Sequence, residues 1–140
     1  MAYKNIVWRD HGTYDVNKLW NKTKNIKTNR IYLDKVIHNL DKDLWTIIVD
    51  GKPKYITPNQ VIKNPYISPL DFNKINNADL QYPIIIYDQN MNSSSSSASR
   101  DSSDLDVLDG LHRLAKAVIL KHKTIKVKYV PTDILQKCKI

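Results

Sequence analysis

Residues 105–121 constrain the fold more than any other part of this chain. Leu105, Val107 and Leu108 make a short apolar strand that runs into Asp109-Gly110, and a helix follows at once. Its apolar residues Leu111, Leu114, Ala115 and Val118 share one face, as a 3.6-residue period requires. The pattern predicts a helix from Asp109 to about Lys121 packed on a sheet. Gly110 supplies the backbone freedom for so tight a turn and for a close approach to a ligand. His112 and Arg113 then fall in the first helical turn, where unpaired N–H groups and the positive end of the helix dipole favour an anion.

The remaining elements follow from local patterns. Asp15 is placed to cap a helix in which Val16, Leu19 and Trp20 share a face. Asn29 to Leu33 alternates like a strand, and Asp34 caps a short helix through Val36 and Ile37. Trp45 to Val49, Asp50-Gly51 and Tyr55-Ile56 predict a hairpin, with Pro53 confining the second arm to an edge. Thr57-Pro58 and Ser68-Pro69 each place a capping hydroxyl before a proline at the first helical position. Pro83 to Tyr87 is a continuous apolar run, expected as a strand buried on both faces. Residues 90–103 include five consecutive serines and are expected as a low-complexity loop, because nothing in them can pack. Thr124 to Val130 alternates Ile125, Val127 and Tyr129 against Thr124, Lys126 and Lys128, a half-exposed strand that Pro131 ends. Asp133 to Leu135 is expected as a last helical turn, with Gln136 to Ile140 fraying. The fold class is therefore α/β (α+β): a small mixed β-sheet with surrounding helices, in a single domain spanning 1–140.

Composition sets bounds on function. No apolar run approaches the roughly 18 residues of a membrane span, and Met1-Ala2-Tyr3-Lys4 opens no signal region, so an intracellular protein, cytoplasmic or nuclear, is expected. The single cysteine, Cys138, allows no internal disulfide and no thiolate metal cluster. With three glycines, the chain holds no phosphate loop of the Gly-x-x-x-x-Gly-Lys type and no Gly-x-Gly-x-x-Gly. The net charge is +8, unevenly spread: +6 over residues 1–70, −5 over 71–110 and +7 over 111–140. A basic chain attracts nucleic acids and nucleotides alike. Abundant Lys, Asn and Ile, with scarce Arg and no Glu, also fit the codon usage of an AT-rich genome, such as a viral one.

Arg113 is the first candidate for binding, because its planar fork suits a phosphate; the alternative is a pair with a nearby aspartate. His112 is a candidate donor or proton carrier, or a structural histidine. Lys116 lies one turn on and could reach the same phosphate, or sit in solvent. Asp109 and Asp79 are the candidate metal or base carboxylates, since magnesium takes one or two carboxylates plus phosphate oxygens; for Asp79, loop capping is the alternative. Trp8, Trp20 and Trp45 are expected in the core.

Asp109-Gly110-Leu111-His112-Arg113-Leu114-Ala115, followed by Thr124-Ile125-Lys126-Val127, resembles the signature of the ParB/sulfiredoxin-like nucleotide-binding fold. Members carry a Gly-x-His-Arg or Gly-x-x-Arg turn at a helix start and then a strand. Pro83 to Ile86 resembles the strand that precedes the turn, and Asn77-Ala78-Asp79-Leu80 resembles a segment of short ParB-like proteins with the same turn. The resemblance covers roughly residues 28–131. It implies that Gly110, Leu111, His112, Arg113 and Lys116 grip the phosphates of ATP, ADP or CTP, with Mg2+ on Asp109 and Asp79. Two departures matter. Leu111 stands where sulfiredoxins have a reactive cysteine, which excludes sulfur-reducing chemistry, and with no glutamate in the chain an aspartate would have to act as base. The expected function is binding of a nucleoside di- or triphosphate, with phosphotransfer or NTP hydrolysis as the enzymatic reading and Asp109, Asp79 and His112 as catalytic candidates. The alternative is a non-catalytic nucleic-acid-binding module, of the ParB-like DNA-binding or nuclease type. In that case DNA or RNA meets the basic C-terminal strand around Lys121, Lys123, Lys126 and Lys128.

Overall fold

The computed structural model describes residues 5–8, 12–88 and 105–140. The Ser-rich stretch expected as a loop at 90–103 lies outside the described residues, as does the side chain of Trp8. The expected fold class is observed, a mixed sheet with helices on both faces.

The chain opens with an antiparallel pair, β1 (Asn5–Trp8) and β2 (Gly12–Asp15), and passes into α1 (Val16–Thr23). Asp15 Oδ1 accepts from the amides of Asn17 and Lys18, the cap its position predicts. β3 (Asn29–Tyr32) follows, then two 3₁₀ turns, Leu33–Lys35 and Ile37–Asp41. The helix expected at Asp34 is thus replaced by tighter turns, entered from Tyr32 without a side-chain cap. β4 (Trp45–Val49) and β5 (Lys52–Ile56) form the predicted hairpin, with Asp50 and Gly51 both at positive φ as a primed turn demands. α2 (Pro58–Lys63) starts with a complete capping box between Thr57 and Gln60, and α3 (Pro69–Asn77) is capped by Ser68. β6 (Ile84–Asp88), β7 (Leu105–Asp109), α4 (Leu111–Ile119), β8 (Thr124–Tyr129) and α5 (Thr132–Lys137) complete the order.

The main sheet runs β3-β8-β6-β7; β6 and β8 are parallel and the other pairs antiparallel. β6 is buried along its whole length because each face meets a different core. Ile84 and Ile86 point into the larger core with Val107, Val127, Val61, Ile75 and Leu114, beneath α2, α3, α4 and the 3₁₀ turns. Ile85 and Tyr87 point the other way, against Tyr14, Leu19, Leu108, Leu135 and Cys138. Each such side chain removed from water contributes on the order of 1.5–3 kcal/mol, so the two-sided strand anchors both layers.

The C-terminus does not fray. Lys139 bridges Tyr14, Ile140 N–H donates to Thr13 O, and Cys138 is fully buried. Burial pushes the Cys138 thiol up, away from the reactive thiolate. Among the described residues no helix is long and apolar enough to cross a membrane.

Candidate functional site

The turn between β7 and α4 is built by a mismatch in the sheet. Ile85 pairs with Asp109 and Ile86 with Val107, so Leu108 is an extra residue that bends β7 just before the helix. Gly110 follows at φ +106°. A Cβ there would sit 2.5 Å from Ile84 Cγ2 and 3.2 Å from the Ile84 Cα. The close approach foreseen for a ligand is therefore to strand β6, and only glycine fits both the dihedral and the space.

α4 begins differently from the three helices before it. Those are capped by the side chains of Asp15, Thr57 and Ser68, whereas Gly110 offers none, as Pro131 offers none to α5 (Thr132–Lys137). His112 and Arg113 occupy the first turn of α4, at the positive end of the dipole.

Both basic residues are held by carboxylates. His112 Nε2 donates to Asp71 Oδ1 at 3.0 Å, and its ring stacks on Trp45 with centroids 4.5 Å apart and planes 13° from parallel. Since a carboxylate only accepts, the contact keeps a proton on Nε2 and orients the imidazole. Asp71 is itself fixed by Ser68, whose hydroxyl donates to Oδ2 at 2.7 Å. Its carboxyl lies below the usual range. Burial, the largest single influence, pushes it up, but hydrogen bonds from His112 and Ser68 and the positive charges of His112 and Lys74 together outweigh that. Arg113 leaves the helix on a neighbouring side. Its Nη1 donates to Pro83 O at 3.2 Å and lies 3.6 Å from Asp109 Oδ2, and its guanidinium covers the Tyr82 ring, 5.8 Å from the centroid. Trp20 Nε1 donates to Asp109 Oδ2 at 2.8 Å.

The turn thus brings together Asp109, Gly110, Leu111, His112 and Arg113, with Leu111 half-buried against the larger core. Two expected residues are engaged elsewhere. Lys116 Nζ donates to Asn76 O and Ala78 O, closing the C-terminal end of α3. Asp79 accepts the Gln81 amide, the loop-capping alternative. Of the two carboxylates expected to hold magnesium, Asp109 already faces a guanidinium and an indole N–H, and Asp79 is turned to its own loop. Among the described residues no group of three or more His, Cys, Asp or Glu is placed to hold a metal ion.

Asp71 and the aromatic partners were not foreseen. Asp71 lies 41 positions from His112, and its sequence signal, an acidic residue three after Ser68, reads only as a helix start. Trp45 is in the core as expected, but Trp20 is 43% exposed and serves Asp109. Comparison with known proteins yields no matching family model, no matching curated protein and no matching solved structure.

Proposed function

We propose that this chain binds the phosphate groups of a nucleoside di- or triphosphate at the first turn of α4. The observation that carries the reading is the start of that helix. It has no side-chain cap and carries two basic residues at its positive end, while α1, α2 and α3 are each capped. A helix N-terminus favours an anion, and the N-cap of α4 gives its first amides no side-chain acceptor. Arg113 supplies a charge-assisted fork, pre-positioned by Asp109 and Pro83 O. His112, oriented by Asp71, is the proton carrier. Phosphoryl transfer or hydrolysis is the reaction class we assign to such a site, where positioning and charge stabilisation do most of the chemistry. The resemblance of Asp109 to Ala115 to the ParB/sulfiredoxin-like turn supports the same ligand class.

The test is thermal unfolding with ATP, ADP, CTP and GTP. At a ligand concentration a hundredfold above its dissociation constant, binding stabilises the folded chain by about 2.7 kcal/mol. We expect one or more nucleotides to do so, and Arg113→Ala to abolish the shift. No stabilisation by any of them, or one that persists in Arg113→Ala, would overturn the assignment.

A further inference from the structure

A second anionic partner is indicated by the opposite side of the sheet. α1 and α5 cover the β6 and β7 part of that face, where Ile85, Tyr87 and Leu108 are buried with Leu19 and Leu135. The β8 and β3 part is left open. There Arg30 and Tyr32 of β3 stand beside Thr124 and Lys126 of β8, with Tyr32 64% exposed. Arg30 and Lys126 are directly cross-strand partners, and Arg30 Nη1 donates to Thr124 Oγ1 at 3.3 Å, so the guanidinium lies across the strands. Like charges placed opposite one another in an antiparallel pair destabilise it, and nothing in the packing requires them here.

The surroundings deepen the positive field. Residues 16–32 and 121–132 contain no acidic residue, yet they hold nine of the chain's 22 lysines and arginines. β3–β8 pairing brings these segments side by side, with Lys22, Lys24, Lys27, Lys121 and Lys123 exposed. A lysine-rich composition enriches lysine everywhere, but it does not clear aspartate from two segments that meet on one surface. Lys128 plays a different part. Its Nζ donates to Thr23 O and Lys24 O, fastening the end of α1 to the sheet and closing one side of the open area.

We infer that this uncovered β3–β8 face binds a single strand of nucleic acid. Cations on a flat sheet track the phosphates, and Tyr32 in their midst gives a base something to stack on. Neither strand of this flat face projects as a helix would to enter a duplex groove. This site does not depend on the α4 turn.

The experiment is fluorescence anisotropy of a labelled oligodeoxythymidine of about 15 nucleotides, near the upper end of the roughly 4–16 that a small single-strand-binding domain covers. Binding should weaken steeply with salt. Arg30→Ala/Lys126→Ala should weaken it at least tenfold and flatten the salt slope by about 0.7 for each phosphate no longer neutralised. Tyr32→Ala should weaken it about tenfold, the effect of removing one stacked ring. All three side chains lie on the sheet surface, so the variants should keep the wild-type melting temperature or exceed it. Arg113→Ala should bind the strand as wild type does, which separates this surface from the nucleotide site. An RNA strand of the same length should bind through the same residues. No binding at about 50 mM salt, binding indifferent to all three substitutions, or a duplex bound as tightly and without regard to Tyr32 would each overturn the inference.

Discussion

Gly110 and Asp71 show how much of the site depends on single residues. Gly110 has a positive φ and no room for a side chain, because Ile84 fills the space a Cβ would take. Gly110→Ala should therefore cost about 2–4 kcal/mol, combining strain with overpacking. Urea denaturation measures it; a change below about 0.5 kcal/mol, the range of ordinary surface substitutions, would mean the turn relaxes freely. Asp71 makes stability depend on pH. Its carboxyl is lower in the folded chain than in the unfolded one. As pH falls, the unfolded chain is protonated first, so the contribution is whole above the ordinary value of about 3.9 and is lost as pH drops through the lower folded value. Asp71→Asn should reduce stability at neutral pH and flatten its dependence in that acid window, read from urea midpoints at both ends. An unchanged acid slope would show that His112 and Ser68 do not hold the charge. Gly110 was legible because turn chemistry is local. Asp71 and Lys116 were not, because a side chain's partner 38 to 41 positions away leaves no trace in local spacing.

Among the elements, the open edge of β7 is the least expected feature. Asn39, in the second 3₁₀ turn, donates from Nδ2 to Leu105 O and accepts the Val107 amide at Oδ1, as a further strand would. A third bond, to Val36 O, holds its own turn in place. Asn39→Ala orphans buried backbone groups on the edge and should destabilise by about 2–4 kcal/mol. Chemical denaturation measures this, and a cost no larger than a surface Asn→Ala would show that water replaces the amide. Helix starts at Asp15, Thr57 and Ser68 and the Asp50-Gly51 hairpin were readable because caps and turns act within four residues. The 3₁₀ turns were not, since Leu33, Val36 and Leu40 bury equally well at helical spacing and Asn39 decides by reaching 66 residues away. The ordered tail was missed for the same reason: Ile140 is tied to Thr13, at the far end of the chain.

Across the whole molecule, two proposed anion-binding features lie on different parts of one mixed sheet. One is the first turn of α4, reached from the end of β7; the other is the open β3–β8 face. The uneven charge was plain in the sequence, but a count cannot assign lysines to a surface. Only the antiparallel register that sets Arg30 opposite Lys126 does that, and the hydrogen bonds of Lys128 and Lys116 mark those two as fasteners of helix ends. A nucleotide small enough to sit on one helix turn should leave the β3–β8 face undisturbed. The most direct measurement is an amide chemical-shift titration of the isotopically labelled chain with ADP. We predict that the amides of Leu111, His112 and Arg113 move most and saturate together, with those of Arg30 and Lys126 unmoved. Amides of the α4 turn that stay still while ADP is added to saturation, or shifts confined to β3 and β8, would contradict it.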